Sequence, residues 1–203
     1  MLNRYFADYI TNLLNREGII QDFEIPLYHY GFELLLSSVF NAVWILMWGF
    51  ITERKMLAIV YIVILATVRT QIGGYHANSY RKCFLCYSLA FLTVIVMVEM
   101  CGFLKLPLGF LGFVSIVLLI IEFFWAPVLH TKILTQEEKK TSRKKGIGRT
   151  VIWVVIMHFV YWYNIKYAYQ IFCVLLLCII LMIVEKYLQK RKFVRGIKNN
   201  HRL

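Results

Sequence analysis

The chain has 203 residues, 60% of them hydrophobic, with a mean hydropathy of +0.65 and a formal net charge of +12. A soluble domain is nearer half apolar, so this composition excludes an ordinary soluble protein and favours several membrane spans. The charge does not indicate nucleic-acid binding, because the Lys and Arg residues fall between apolar runs without any zinc-finger, helicase or aromatic RNA-binding signature. We therefore expect an all-α, polytopic membrane protein whose basic residues face anionic lipid.

Residues 1–25 predict an amphipathic helix that is too polar to cross a bilayer. This helix either lies in the cytoplasmic membrane interface or packs on the protein's own cytoplasmic face. Gly18 predicts its end, and Pro26 predicts a second break before the first span. No cleavable signal peptide is expected, since no basic start precedes an unbroken apolar run. The apolar side chains that recur at helical spacing are Leu2, Tyr5, Phe6, Tyr9, Ile10, Leu13 and Leu14.

Six apolar runs then predict a bundle of six transmembrane helices over residues 34–184. Runs of about 17 to 20 residues reach about 26–30 Å, close to the thickness of a bilayer core. The second and fifth runs reach this length only through Arg69 and Arg149, whose side chains would snorkel to the boundary. Alternatively, the second helix stops short and residues 69–82 form a loop that dips into the membrane surface. The runs cover 34–51, 56–72, 84–101, 106–125, 147–163 and 167–184.

The distribution of basic residues predicts the orientation of these spans. Nineteen of the 23 Lys and Arg residues lie in the first, third, fifth and seventh gaps, and four lie in the alternate gaps. This asymmetry places both termini, and the gap between the second and third spans, in the cytoplasm. We expect one membrane-embedded domain over residues 1–203, which ends in a basic cytoplasmic tail over residues 185–203.

The gap between the second and third spans, GGYHANSYRKC, brings an imidazole near a thiol. A neighbouring imidazole or cation converts a thiol into a stronger nucleophile by favouring the thiolate. Cys83 directly follows Arg81 and Lys82, and His76 lies seven residues upstream. We therefore predict that Cys83 is a nucleophile at the start of the third span and that His76 is its general base. The alternative is an interfacial imidazole beside a small packing residue.

The same spacing requires a bent backbone between the two groups. Seven residues of straight helix separate two positions by about 10.5 Å, whereas proton transfer needs contact within about 3 Å. Gly73 and Gly74 supply backbone freedom before the histidine, and Asn78 and Ser79 favour turns after it. His76 is accordingly expected in a loop or at a helix end.

No third catalytic group is fixed by spacing. Gln71, Asn78 and Ser79 are nearby candidates to orient the base, and Glu122 is a more distant one at the cytoplasmic end of the fourth span. An ionisable group in an apolar run is a functional candidate, although Glu122 could also simply snorkel. The cysteine spacing indicates neither a disulfide framework nor a metal site, and no cofactor is expected.

The run RTQIGGYHANSYRKCFLCYSL resembles the signature of the AgrB family, the accessory gene regulator membrane peptidases of Gram-positive bacteria. The matching positions are Arg69, Gly74, His76 and Cys83. The stretches YGFELLLSS and APVLHTKILTQEEKKTSRKK are similar to the family as well, so the resemblance covers essentially the whole chain. One departure is 131–133, Thr-Lys-Ile here, where many members carry Asn-Lys-Pro.

The resemblance implies a membrane cysteine endopeptidase that processes an AgrD-type precursor of a quorum-sensing peptide. Cys83 would attack a carbonyl near the acidic C-terminal tail, His76 would act as base and acid, and Arg69 and Gly74 would support them. The thioester would then close into a macrocyclic thiolactone or lactone. A homodimer in the cell membrane of a Gram-positive bacterium is expected.

A membrane transporter and a membrane protease of another class are the alternatives to this function. A non-catalytic membrane transporter or exporter of a small peptide would use the polar gap as a binding site. The sequence does not indicate a metalloprotease, a rhomboid-type protease or an aspartyl protease, because it contains no HExxH motif, no GxSG motif and no pair of intramembrane aspartates.

The fifth gap carries a cluster of basic side chains with two interpretations. The cluster either attracts the acidic tail of the precursor or sets the topology and contacts anionic lipid. Its members are Lys139, Lys140, Arg143, Lys144 and Lys145.

Overall fold

The structure is a computed structural model that describes residues 2–73, 80–128 and 135–200. Within these ranges the chain is helical and contains no β-strand, so the all-α prediction is confirmed for them. A short 3₁₀ turn, Asp22–Glu24, leads into the second helix. The helices are α1 (Leu2–Arg16), α2 (Ile25–Ile51), α3 (Lys55–Ile72), α4 (Tyr80–Phe103), α5 (Leu108–Trp125), α6 (Gln136–Tyr163) and α7 (Ile165–Asn200).

Five of the helices in the described ranges, α2, α3, α4, α5 and α7, are long and apolar enough to cross a membrane. They coincide with the first, second, third, fourth and sixth predicted spans. The fifth predicted span, 147–163, lies in the C-terminal part of α6, where Arg149 and His158 interrupt the apolar residues. The count of six spans therefore stays a prediction, whereas an all-helical protein with five candidate spans is what the structure shows.

The helix α7 forms the centre of the bundle. In its most apolar stretch 67% of the residues are buried, whereas the corresponding share is 17% in α2 and 17% in α4. The other helices therefore pack around α7. It contacts α3, α4, α5 and α6. Large side chains from three helices, among them Tyr61, Phe91 and Met182, are almost completely buried in the shared core. Because the outer helices keep most of their apolar side chains exposed, this protein is suited to lipid rather than water around its perimeter.

The N-terminal helix α1 packs along α2. Ala7 and Thr11 are buried in that contact, and His29 Nε2 lies 2.8 Å from Asp8 Oδ1. Gly18 follows the end of α1 with a φ of +67°, as predicted. Pro26 lies in the first turn of α2, so the break predicted there falls at the boundary between the 3₁₀ turn and α2. Proline is tolerated at this position because its missing N–H leaves no helical hydrogen bond unmade.

Three helices extend further than their predicted spans, and the first of them, α2, begins at Ile25 rather than at residue 34. The segment 136–146, expected as part of a basic gap before the fifth span, forms the N-terminal part of α6. Thr135 and Glu138 explain its start, since each side chain accepts a hydrogen bond from the other's backbone N–H in a capping box (3.3 Å and 2.9 Å). At the other end of the chain, α7 runs on through much of the predicted tail to Asn200.

Candidate functional site

A π-helical segment, Leu65–Arg69, interrupts α3 before its C-terminal end. Such segments close wider turns than an α-helix and are frequent at functional sites. The helix α6 contacts this one directly: Arg149 Nη1 donates to the Thr67 carbonyl oxygen (2.7 Å), and Trp153 Nε1 donates to the Thr67 hydroxyl (3.0 Å). These contacts stabilise the segment that ends at Arg69. The shorter alternative for the second span is wrong, because the helix continues to Ile72.

The Arg69 side chain lies inside the bundle. The residue is only 8% exposed, and its guanidinium carbon lies 4.9 Å from the centroid of the Tyr87 ring, in a cation–π contact. The Tyr61 hydroxyl donates to the Tyr87 carbonyl oxygen at 3.2 Å, which ties α3 to α4 beside this contact. The prediction that Arg69 snorkels to the membrane boundary is therefore wrong.

Cys83 lies in the first turn of α4 and is half-buried. It borders a small cavity of about 20 Å³, which has room for a group about the size of one water molecule. Arg69, Tyr61 and Tyr87 line the same cavity. The structure therefore brings a predicted nucleophile and a predicted supporting cation to one cavity.

The chain is held in place just before the segment that carries the predicted base. Gly73 ends α3 with a φ of +81°, and Val128, after α5, donates its N–H to the Ile72 carbonyl oxygen at 2.9 Å. Gly73 and Val128 form a parallel bridge, in which a Cβ on Gly73 would collide with the Val128 carbonyl oxygen. Glycine is required here for two reasons, the left-handed backbone and the close approach of a second chain segment.

Several of the predicted site residues lie outside the described residues or at their edge. His76, Gly74 and Ser79, together with Asn78, belong to residues 74–79, of which the structure gives no description. Gln71 is half-buried on the last turn of α3, beside α6. The predicted pairing of His76 with Cys83 accordingly stays a prediction.

Glu122 is completely buried near the C-terminal end of α5. The glycine at position 146 makes room for it, since a Cβ there would fall 3.0 Å from Glu122 Oε1 and 2.8 Å from Ile72 Cγ2. Thr150 on α6 is its polar neighbour, at a geometry short of a regular hydrogen bond. The alternative that Glu122 snorkels is therefore wrong. Its carboxyl group packs on Gly146, which also packs on Ile72, the residue before Gly73.

Comparisons with known proteins identify the family of this chain. The family model described as Accessory gene regulator B matches residues 7–184. The chain belongs to the AgrB family. It is also 22% identical over 175 residues to AgrB-like protein 2 of Clostridium perfringens (strain 13 / Type A), which covers 80% of this chain and 78% of that protein. No solved structure matches. AgrB membership implies a role in processing the quorum-sensing peptide of an accessory gene regulator system.

The predicted basic cluster of this AgrB-family chain divides into two environments on α6. Lys139, Lys140, Lys144 and Lys145 are exposed. Arg143 is half-buried instead, where its Nε donates to the Ala126 carbonyl oxygen at 2.8 Å and its guanidinium lies over the Phe123 ring. The four lysines are available to an anionic partner, whereas Arg143 holds α6 against the end of α5.

Sequence reasoning missed three residues: Tyr61 and Tyr87, which line the cavity beside Cys83, and Asn41, which lines a neighbouring cavity. Tyr61, Tyr87 and Asn41 are buried or half-buried polar side chains within apolar runs. Helical spacing could have indicated the two tyrosines, since Tyr87 lies one turn after Cys83 and Tyr61 lies about two turns before Arg69. Within residues 2–73, 80–128 and 135–200, no three His, Cys, Asp or Glu side chains are grouped so that they could hold a metal ion.

Proposed function

We propose that this AgrB-family chain is a membrane-embedded cysteine endopeptidase that removes the C-terminal tail of an AgrD-type precursor and promotes macrocyclisation. The observation that carries the proposal is the position of Cys83, half-buried in the first turn of α4 and sharing a cavity with Arg69. Exposed N–H groups at a helix start and a nearby cation both stabilise a thiolate.

The proposed reaction has two acyl-transfer steps. The Cys83 thiol gives its proton to the His76 imidazole, and the thiolate forms a C–S bond with the scissile carbonyl carbon. The C–N bond breaks as the imidazolium returns the proton to the leaving amine, which departs with the tail. A thiol or hydroxyl within the precursor then gives its proton to the neutral His76 imidazole and attacks the thioester carbonyl carbon. The new C–S or C–O bond closes the ring, the C–S bond to Cys83 breaks, and the imidazolium returns the proton to the Cys83 sulfur.

The other site residues have supporting roles in this proposal. Arg69 stabilises negative charge beside the thiol, and Gly74 gives the segment before His76 its freedom. Gln71, Ser79 and Glu122 are the candidates to orient the imidazole. Glu122 is supported by its burial against Gly146, which also packs on Ile72, the residue before Gly73.

The membrane arrangement in this proposal follows the charge distribution. Six spans, with α6 as the fifth, leave both termini and residues 73–82 in the cytoplasm. The four exposed lysines of α6 would meet the acidic tail of the precursor or anionic lipid. The side chains Tyr5, Phe6, Tyr9 and Leu13 of α1 are exposed, which suits a helix lying in the membrane interface. A homodimer is proposed from the family likeness.

The experiment that tests the proposal compares single variants in membranes supplied with the precursor. The precursor is sought as a short open reading frame beside the gene, with a Cys or Ser followed by an acidic tail. Cys83→Ala and His76→Ala should each abolish cleavage while membrane insertion persists. Cys86→Ala is the matched control, because Cys86 lines the same cavity one turn further along α4 and should keep cleavage. If Cys83→Ser and Cys83→Ala both retain function, the protein acts as a transporter or exporter instead.

A further inference from the structure

A cavity that has no part in the proposed reaction lies at the end of the bundle opposite Cys83. Its volume is about 810 Å³, within the range of sites that hold small ligands. The turn between α2 and α3, the last two turns of α4 and the first two turns of α7 enclose it. Glu99 of α4 borders the cavity and lies sixteen residues after Cys83, which corresponds to about 24 Å of helix. The cavity is therefore separate from the candidate functional site.

The charged side chains that line this cavity favour an anionic ligand. Three of them are cations and two are carboxylates. Arg54 forms an ion pair with Glu99, but a guanidinium carries five N–H donors, so this pair leaves donors of Arg54 for a ligand. Lys55 and Lys166 are exposed at the rim, as is Glu53. Two ammonium groups and a guanidinium around one space are suited to charge-assisted hydrogen bonds with a phosphate.

The amide of Gln170 indicates a second feature of the ligand. Its Oε1 atom is buried and has no hydrogen-bond partner among the residues that the structure describes, although the residue lines the cavity. The Tyr169 hydroxyl, next to it in the chain, donates to the Leu106 carbonyl oxygen at 2.9 Å instead. A buried carbonyl oxygen without a donor is costly, so a ligand hydroxyl that donates to Gln170 would be favoured.

The surroundings of the cavity correspond to the level of lipid headgroups. Trp and Tyr are enriched at that level, and Trp162 and Tyr163, 81% and 96% exposed, end α6 at this end of the bundle. Lys55 Nζ lies 4.9 Å from the centroid of the exposed Phe50 ring, so its charge meets the apolar perimeter here. Acyl chains would find exposed apolar side chains at or beside the lining positions, namely Met56, Met100 and Phe103.

We propose that this cavity binds the headgroup of an anionic phospholipid whose phosphodiester carries a hydroxylated substituent, as in phosphatidylglycerol. The phosphate contacts Lys55, Lys166 and Arg54, and a headgroup hydroxyl donates to Gln170 Oε1. The acyl chains lie along the exposed apolar side chains of α3 and α4. The bound lipid thereby joins the turn between α2 and α3 to α4 and α7. The inference is independent of the proposed peptidase reaction.

The test measures lipid binding to the full-length protein by native mass spectrometry in detergent, for the lipid that binds most tightly. The probes are phosphatidylglycerol, phosphatidylmethanol, which is anionic without a headgroup hydroxyl, and phosphatidylcholine, which has no net charge. Phosphatidylglycerol should bind about tenfold or more tightly than phosphatidylcholine, because hydrogen bonds between charged groups are lost with the latter. It should bind several-fold more tightly than phosphatidylmethanol. The water-soluble headgroup, glycerophosphoglycerol, should compete only at far higher concentration.

Three variants locate the site. Lys166→Gln removes a lining cation and should weaken the binding of phosphatidylglycerol about tenfold. Lys105→Gln is the matched control, because Lys105 is exposed at the same end of the bundle but is not among the residues that line the cavity. This control should keep the affinity within about twofold. Gln170→Leu should abolish the preference for phosphatidylglycerol over phosphatidylmethanol and leave the affinity for phosphatidylmethanol within about twofold.

Four results would contradict the proposal. An equal loss in Lys166→Gln and Lys105→Gln would indicate general attraction to surface charge and would overturn the site. Equal affinities for phosphatidylglycerol and phosphatidylcholine in the unaltered protein would do the same. Competition by glycerophosphoglycerol at the concentrations at which phosphatidylglycerol binds would replace the lipid by a soluble glycerophosphate. A hydroxyl preference that persists in Gln170→Leu would overturn the assigned contact with the headgroup hydroxyl.

Discussion

The substitution Gly73→Ala tests whether the junction between α3 and Val128 positions the segment that carries His76. Alanine at a φ of +81° costs about 1–2 kcal/mol from backbone strain alone. The new Cβ would also collide with the Val128 carbonyl oxygen, so the bridge between the two segments must open. A displacement of about 1 Å near a reacting group costs about a hundredfold in rate. We therefore expect cleavage to fall by about a hundredfold.

The matched control is Gly18→Ala. Gly18 also has a positive φ, +67°, but a Cβ there would meet no atom within 4 Å. The Gly18→Ala substitution should therefore lower thermal stability no more than Gly73→Ala does, and it should leave the cleavage rate within about twofold of that of the unaltered protein. The assay combines thermal denaturation in detergent with single-turnover cleavage of the precursor. Wild-type cleavage in Gly73→Ala, or an equal loss in both variants, would refute the reasoning.

Three further predictions follow from the packing of the helices. Glu122→Gln should keep or raise the melting temperature, because a neutral amide of the same shape replaces a fully buried carboxyl group. Glu122→Ala should destabilise the folded protein by about 2–4 kcal/mol, because it leaves a cavity. Denaturation of both variants measures the two changes in stability. Mild oxidation should form a disulfide between Cys101 of α4 and Cys173 of α7, because their sulfur atoms lie 3.6 Å apart. Peptide mapping after proteolysis detects this disulfide, and its absence would mean that the two helices pack differently. Replacing Lys139, Lys140, Lys144 and Lys145 together by Gln should raise KM for an acidic-tailed precursor several-fold at low salt and less at high salt, and a KM independent of salt would favour contact with lipid.

Much of the helical framework could be predicted from hydropathy, because lipid requires long apolar runs and leaves little ambiguity about them. The ends of the helices were less predictable. The first span is predicted from residue 34 although proline in a first helical turn favours a start at Ile25, and the basic start of α6 is predicted as a gap although Thr135 and Glu138 form a capping box. Both signals are local, and both could have been used.

The candidate site was predictable only in its sequence-local part. The position of Cys83 at the start of a span agrees with its place in the first turn of α4. The π-helical segment of α3 depends on hydrogen bonds from Arg149 and Trp153, which are about 80 residues away in the chain, so no local pattern could show it. The burial of Glu122 likewise depends on a glycine at position 146 of a different helix.

The most direct measurement of the central claim is intact-protein mass spectrometry after brief mixing with the precursor. The account predicts a mass gain equal to the precursor without its tail, located on Cys83, removed by neutral hydroxylamine and absent in Cys83→Ala. Cleavage of the precursor by Cys83→Ala, or turnover with the acyl group on a residue other than Cys83, would contradict it.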